Sequence, residues 1–291
     1  MHVELRDGGM VKSRCLCGTV RWTADGPLQF MSHCHCSRCR KAHGTPFATY
    51  VAAPSDTFRL TGAEHVRRYE SSPGFFRPFC TACGSVTPGD ALEGLMFLPA
   101  GCMEDDPGER PGAHIFVASK APWYEIPDSL PQFEAYPPGT DVPAQPDRTP
   151  PDAPGKHPRG SCLCGSVAYV VEVTPFMARY CHCSRCRQAR GAAHASNLVA
   201  HIDGVRFTRG ADRVVTYKLP EARYFSQAFC RDCGSPMPRL DRERNIAIVA
   251  MGTLDDDPGI RPSEHIWTES RAPWFEIADR LTQHPGPPPP S

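Results

Sequence analysis

The chain has 291 residues, including 15 cysteines, and carries 32 basic and 32 acidic side chains, so its net charge is zero. A chain of this length is expected to form two domains rather than one. Without a basic excess it is a poor candidate for binding nucleic acid. The sequence contains no stretch approaching the roughly 18 apolar residues of a membrane span, and its first residues lack the apolar core of a signal peptide. We therefore expect a cytoplasmic protein that binds neither nucleic acid nor membrane.

The cysteines call for an explanation other than disulfide bonds. Disulfides are rare in the cytoplasm, and an odd number of cysteines fits a purely disulfide framework poorly. Metal binding is the better interpretation. Ligation by sulfur alone selects zinc or iron–sulfur chemistry over magnesium or calcium, and we predict zinc.

The cysteine motifs occur twice in the same order. The motif C-L-C-G begins at Cys15 and again at Cys162, and the heptad C-H-C-S-R-C-R begins at Cys34 and again at Cys181. A third motif, F-C-x-x-C-G-S, also occurs in both halves. Because three motifs keep their order and nearly keep their spacing, the chain is interpreted as a tandem duplication.

The duplication predicts two similar zinc domains, residues 10–133 and 160–284. Between them, residues 134–159 contain eight prolines and few large apolar side chains, a composition that predicts a semi-extended linker. Residues 285–291 are also rich in proline and are predicted to form a disordered tail. The two copies are expected to be free to pack on each other.

Within each copy the sequence favours short strands. Residues 167–173 alternate Val, Tyr, Val and Val with other side chains, the period of two that is typical of a strand. Glycine and proline interrupt the chain often, and no long helical stripe appears. We predict a mostly β fold with one brief helical turn after Cys39 and one after Cys186.

The seven motif cysteines of each copy divide naturally into four and three. Four thiolates close a structural zinc site, whereas three protein ligands leave a position open, as in catalytic sites. We pair the C-x-C-G motif with the C-x-x-C-G motif, because both have a glycine suited to a tight turn that presents two sulfurs. Spacing alone also permits the middle cluster to join the closed site.

This division predicts two zinc ions per domain and four per chain. The predicted four-cysteine sites are Cys15, Cys17, Cys80 and Cys83 in the first copy, and Cys162, Cys164, Cys230 and Cys233 in the second. The predicted three-cysteine sites are Cys34, Cys36 and Cys39 in the first copy, and Cys181, Cys183 and Cys186 in the second.

Two interpretations are open for the function of several histidines and arginines in these motifs. His35 and His182 are candidates for a fourth ligand, which would make the three-cysteine sites structural as well. His114 and His265 recur in both copies and would act either as proton carriers or in packing and hydrogen bonding. Four arginines flank the three-cysteine clusters and would either steer an anionic substrate or stabilise the thiolates. They are Arg38, Arg40, Arg185 and Arg187.

Taken together, the motifs resemble the family of glutathione-dependent formaldehyde-activating enzymes, which also includes centromere protein V. The resemblance covers most of both copies and includes the closing motifs D-D-P-G, H-I and A-P-W. It implies a zinc-binding, mostly β fold of the Mss4-like kind, duplicated in tandem. In the family the C-x-C and C-x-x-C motifs hold a structural zinc and the C-x-C-x-x-C motif holds the catalytic one. The resemblance therefore implies catalytic sites at Cys34, Cys36, Cys39, Cys181, Cys183 and Cys186.

The resemblance also implies an activity. The family reaction joins glutathione and formaldehyde, so we expect a zinc-dependent carbon–sulfur lyase that adds a small glutathione-like thiol to formaldehyde or a related aldehyde. Zinc held by three thiolates is a weak Lewis acid but is suited to holding a fourth thiolate, which would then attack the aldehyde carbon. Two other hypotheses stay open: a non-catalytic zinc module that binds another protein, and a redox or formaldehyde sensor with exposed thiolates.

Overall fold

The structure, a computed structural model, describes residues 9–288. In that range the chain forms short β-strands and two α-helices, α1 (Ser37–His43) and α2 (Ser184–Arg190). The predicted mostly β class and the tandem duplication are confirmed. The helical turns predicted after Cys39 and Cys186 begin earlier than expected and contain those cysteines, because the cysteine before each helix caps its first turn.

The first copy has nine strands in the described residues. They are β1 (Val11–Arg14), β2 (Arg21–Ala24), β3 (Met31–Cys34), β4 (Ala48–Pro54), β5 (Arg59–Thr61), β6 (Val66–Ser72), β7 (Phe75–Cys80), β8 (Leu95–Pro99) and β9 (Pro111–Ile115). Strands β1, β2 and β5 form one sheet, β6 and β7 form a hairpin, and the order β8-β4-β3-β9 forms the third sheet. Strand β9 is parallel to β3, and the other pairs are antiparallel.

The second copy repeats this arrangement and adds two edge strands. Its strands are β10 (Arg159–Ser161), β11 (Ala168–Val171), β12 (Met177–Cys181), β13 (Ala195–His201), β14 (Val205–Arg209), β15 (Val214–Lys218), β16 (Ser226–Cys230), β17 (Arg239–Asp241), β18 (Ile246–Ala250), β19 (Glu264–Ile266) and β20 (Thr282–Gln283). Strands β17 and β20 extend the large sheet to the order β17-β18-β13-β12-β19-β20. The alternating pattern at 167–173 therefore forms β11, although Val173 lies beyond the strand and is exposed.

The two copies pack on each other with approximate two-fold symmetry. Helix α1 contacts residues 251–253 of the second copy, and α2 contacts residues 100–102 of the first. At these contacts the backbones meet closely: a Cβ added to Gly101 would lie 2.0 Å from the backbone nitrogen of Ala192, and one added to Gly252 would lie 2.2 Å from that of Thr45. Such reciprocal contacts are typical of a two-fold interface. A single hydrophobic core spans both copies.

The proline-rich segment 134–159 lies against both copies. It has no helix or strand before Arg159. The ring of Tyr136 packs edge-on against Phe116 of the first copy, with ring centroids 4.7 Å apart, and Arg148 donates a hydrogen bond to the carbonyl oxygen of Leu163 at 2.8 Å. The segment is therefore held at both ends by contacts with the domains that it joins.

The chain termini are described only in part. Of the predicted tail 285–291, residues 289–291 lie outside the described residues. The carbonyl oxygens of Pro285 and Gly286 accept hydrogen bonds from the backbone of Glu269 and Trp267, so the start of the tail pairs with the second copy rather than leaving it. Among residues 9–288, no helix combines the length and the apolar character needed to cross a membrane.

Candidate metal centres

The four-cysteine clusters form where two tight turns face each other. In the first copy the sulfurs of Cys15, Cys17, Cys80 and Cys83 all lie within 4.8 Å of one another, and the four equivalent sulfurs of the second copy do so too. Gly84 adopts a φ of 75°, and its N–H donates to the carbonyl oxygen of Cys80 at 2.8 Å. Glycine tolerates this left-handed conformation, which closes the turn around the sulfurs.

Side chains repeated in both copies join these two turns. The backbone N–H of Leu16 donates to Ser85 Oγ at 3.0 Å, and that of Leu163 donates to Ser235 Oγ at 2.9 Å. These serines end the F-C-x-x-C-G-S motif, which accounts for their presence in both copies. In the first copy the backbone N–H of Val20 donates to Cys15 Sγ at 3.3 Å, a contact that favours the thiolate form. The turns and their hydrogen bonds thus fit a closed metal site.

The three-cysteine clusters sit where a strand leads into a short helix. Strand β3 ends at Cys34, Cys36 caps helix α1, and Cys39 lies in its first turn, which brings the three sulfurs within 4.8 Å of one another. The N–H of Cys39 donates to Cys36 Sγ at 3.3 Å. The second copy has the same arrangement at the start of α2. Local chain geometry alone therefore assembles each of these clusters.

The protonation of the second three-cysteine cluster is unequal. Hydrogen bonds from the thiols of Cys181 and Cys186, helped by the N–H of Cys186, lower the pKa of Cys183 to about 3. The pKa of Cys186 is raised well above its ordinary value by its side-chain hydrogen bonds with Cys181 and Cys183 and by burial. A thiolate is thus favoured at the helix cap, the position from which sulfur can bind a soft metal.

Neither histidine proposed as a fourth ligand joins its cluster in the described residues. His35 follows Cys34, the last residue of β3, and is fully buried beside the ring of His114, with ring centroids 5.1 Å apart. His35 Nε2 lies 2.8 Å from Nδ1 of His114, and His182 lies at the same distance from His265. Burial lowers the pKa of both His35 and His182 to about 3. They therefore form part of buried hydrogen-bond chains.

Each of these two hydrogen-bond chains ends on an aspartate that was not predicted from the sequence. His114 Nε2 lies 3.0 Å from both carboxylate oxygens of Asp128, and His265 Nε2 lies 3.0 Å from those of Asp279. His114 and His265 are therefore each hydrogen-bonded on both ring nitrogens. A signal was present in the sequence, because both copies have an aspartate five residues after the tryptophan of A-P-W.

The four predicted arginines lie near the clusters without contacting the sulfurs. Arg38, Arg40 and Arg187 donate to the backbone carbonyls of Ser71, His35 and Ser270, and Arg185 is exposed. A different arginine approaches the first cluster, with Arg77 Nη2 3.9 Å from Cys39 Sγ. Although burial disfavours its charge, the neighbouring Cys39 raises the pKa of Arg77 above its ordinary value. Arg77 therefore balances negative charge at the first cluster.

The fold and the clusters define a duplicated, cysteine-rich β protein with four candidate metal centres. Residues 10–119 and 157–270 both match the model of the family described as glutathione-dependent formaldehyde-activating enzyme, and the chain belongs to that family. It is also similar to a Rhodobacter sphaeroides protein of known crystal structure, with 32% identity, 36% of this chain and 97% of that chain covered, and a TM-score of 0.30.

Proposed function

We propose that the protein is a carbon–sulfur lyase that joins a small thiol to formaldehyde or a related aldehyde, with zinc held by its three-cysteine clusters. The supporting observation is the incomplete ligand set: each such cluster gathers three sulfurs, and no fourth Cys, His, Asp or Glu side chain joins it within residues 9–288. Structural zinc sites have four protein ligands, whereas sites with three keep a position for substrate. The four-cysteine clusters of the same chain provide the contrast.

The donor atoms of all four clusters fit zinc. Thiolates are soft ligands that select zinc, copper(I) or iron–sulfur clusters, and the four-sulfur geometry suits a closed structural site. The three-cysteine clusters would hold the second zinc of each copy. When bound there, zinc would lower the pKa of a thiol at the open position and leave its sulfur nucleophilic.

The residues of the chain would position the sulfur and balance its charge. Helix α1 holds Cys36 and Cys39 through the 3.3 Å hydrogen bond at its cap, so that little reorganisation is needed when substrate binds. Cys34 and Cys39 are buried among apolar side chains, and so are Cys181 and Cys186. Exclusion of water strengthens the attraction between thiolate sulfur and nearby guanidinium groups.

The overall reaction balances without a further reactant. The thiol sulfur bonds to the aldehyde carbon, the carbonyl π bond breaks, and the proton of the thiol ends on the new hydroxyl oxygen. No atom is oxidised or reduced. The chemistry therefore needs a nucleophilic sulfur and a held aldehyde, and no redox cofactor.

The proposal is tested by following exchange between ¹³C-formaldehyde and its adduct with N-acetylcysteine by NMR. The wild-type protein should accelerate this exchange above the spontaneous rate, and replacing one cysteine of each open cluster (Cys34→Ser with Cys181→Ser) should abolish the acceleration. Cys102→Ser is the matched control, because Cys102 is a buried cysteine outside every cluster. No acceleration by zinc-loaded wild type, with a zinc-edge spectrum that does not respond to thiol, would favour the binding-module hypothesis.

A further inference from the structure

The two three-cysteine sites are not alike in their surroundings. A cavity of about 90 Å³ adjoins Cys186 of the second copy. It is lined on its polar side by Arg190, Asn197, Gln227 and Arg239. On the scale of about 30 Å³ per water, the cavity has room for the thiol-bearing part of a small molecule.

Three polar atoms of this cavity lack a partner among the described residues. They are Arg190 Nη1, Asn197 Oδ1 and Gln227 Nε2. Arg190 and Gln227 are almost fully buried, with 8% and 3% of their surface exposed. Buried polar groups in proteins are nearly always hydrogen-bonded, and three unpaired atoms around one cavity point to a ligand that would pair with them.

The first copy has different side chains at the same positions. Arg77 replaces Gln227, each lying three residues before the first cysteine of F-C-x-x-C. Tyr50 replaces Asn197 in the strand that follows the helix, and His43 replaces Arg190 as the last helical residue. Arg77 is longer than Gln227, and Tyr50 and His43 are aromatic. These side chains of the first copy therefore change the shape and polarity of the space beside the cluster.

In the first copy these side chains contact the protein itself, and the buried atom that lacks a hydrogen-bond partner among the described residues is Arg77 Nε. Arg77 Nη2 lies 3.9 Å from Cys39 Sγ, and the Tyr50 hydroxyl lies 2.8 Å from His43 Nε2. Tyr136 also packs beside this cluster, against Phe116. By the spacing that relates Phe116 to Trp267, the counterpart of Tyr136 is Pro287, which has no aromatic ring to place there. Arg77, Tyr50 and Tyr136 therefore occupy space beside the first cluster, whereas the second copy has shorter or non-aromatic side chains at these positions and a cavity beside Cys186.

We propose that the second copy alone binds the thiol substrate, and that the first copy serves as its structural partner. This inference rests on the proposed function and assigns it to one site. The unpaired atoms specify the ligand: Arg190 and Gln227 need acceptors, and Asn197 needs a donor. A thiol that carries a carboxylate and an amide, such as an N-acylated cysteine or a cysteinyl peptide, supplies both beside its sulfur. The guanidinium of Arg190 suits the carboxylate.

Calorimetric titration of the zinc-loaded full chain with N-acetylcysteine tests the assignment. We expect one thiol bound per chain, loss of binding in Cys181→Ser, and retained binding in Cys34→Ser. N-acetylcysteamine, which lacks the carboxylate, should bind roughly 10- to 100-fold more weakly, the effect of losing one hydrogen bond between charged groups. Gln227→Arg, which introduces the side chain of the first copy, should block binding, and Gln227→Met should weaken it about tenfold.

The outcomes separate this inference from the proposed function. Zinc content and melting temperature show whether each variant is folded and loaded. Binding of two thiols per wild-type chain, or unchanged binding in Cys181→Ser or in folded Gln227→Arg, overturns the assignment to the second copy and leaves the lyase proposal standing. If zinc-loaded wild type binds no thiol, the lyase proposal itself fails.

Discussion

Lys41 of the first copy and Asp255 of the second form a buried ion pair, with Nζ and Oδ1 2.7 Å apart and each side chain 4% exposed. Lys41 Nζ also donates to the carbonyl oxygens of Ser161 at 3.1 Å and Thr253 at 2.5 Å, and Asp255 accepts from the Ser161 hydroxyl at 2.6 Å. Buried charges need such pairing to offset the cost of leaving water. The pair therefore ties the helix of one copy to the body of the other.

This pair breaks the two-fold relation between the copies. The second copy has Gln188 at the position that corresponds to Lys41, and the first copy has Glu104 at the position that corresponds to Asp255. Glu104 instead pairs with Arg14 at 2.8 Å, with both side chains about one-third exposed, at 36% and 33%. Asp255 is therefore buried in an ion pair between the copies, whereas its counterpart Glu104 pairs at the surface within its own copy.

Breaking the buried pair should destabilise the protein more than breaking the surface pair. Lys41→Met or Asp255→Asn should each lower the free energy of unfolding by about 3–5 kcal/mol, because each breaks the 2.7 Å pair and leaves Asp255 or Lys41 with weaker partners, such as Arg148 at 3.4 Å from Asp255. The Lys41→Met/Asp255→Asn double variant should lose less than the sum of both. Arg14→Met and Glu104→Gln are the matched controls and should cost at most about 1 kcal/mol. Chemical denaturation measures all of these, and strictly additive losses at Lys41 and Asp255 would contradict the pairing.

The buried lysine should make stability depend on pH in the alkaline range. Burial lowers the pKa of Lys41 to about 8, against the opposing effect of Asp255. Below that pH Lys41 is protonated in both the folded and the unfolded protein. Between about pH 8 and the ordinary lysine pKa of about 10.4 it is protonated only in the unfolded protein. As the pH rises from roughly 7.5 to 9.5, the free energy of unfolding of wild type should therefore increase by about 2 kcal/mol relative to that of Lys41→Met. A constant difference between the two proteins across this range would show that Lys41 keeps its proton.

The two kinds of cysteine cluster should differ in their effect on folding. Purified protein should carry four zinc ions per chain, one for each of the four clusters. Cys80→Ser or Cys230→Ser should unfold its copy, because binding energy at a closed site is folding energy. Cys34→Ser or Cys181→Ser should leave the copy folded and weaken only its second site. Elemental analysis and thermal melting report both effects, and equal destabilisation by the two classes of variant would contradict the division.

Close packing at the interface between the copies should make one glycine irreplaceable. A Cβ on Gly101 would lie 2.0 Å from the backbone nitrogen of Ala192, so Gly101→Ala forces the two backbones apart and should cost about 3 kcal/mol or more. Gly112→Ala is the control, because no atom lies within 4 Å of a Cβ placed there. It should change the free energy of unfolding by less than about 0.5 kcal/mol. Similar melting temperatures for the two variants would mean that the two copies can move apart at this contact without a loss of stability.

The sequence by itself determined the duplication, the mostly β class and the short motifs that present the cysteines. These properties are local: a C-x-C-G turn, a C-x-x-C-G turn and a capped helix each place their sulfurs through a few backbone dihedral angles. Motif order and spacing therefore carried them, as at Cys34, Cys36 and Cys39, whose sulfurs are brought together within six residues of chain.

Only the tertiary structure decided which side chains surround those sulfurs. Arg77 reaches Cys39 across 38 positions, and Lys41 reaches Asp255 across 214. Such contacts depend on how sheets and copies pack, which no local spacing encodes. The same holds for the cavity beside Cys186: the change from Arg77 to Gln227 is visible in the sequence, but its consequence appears only when both residues are seen beside equivalent clusters. Local chain geometry built the two three-cysteine clusters. Long-range packing joined the turns of the four-cysteine clusters, in which Cys17 and Cys80 are 63 positions apart, and it made the two open clusters different.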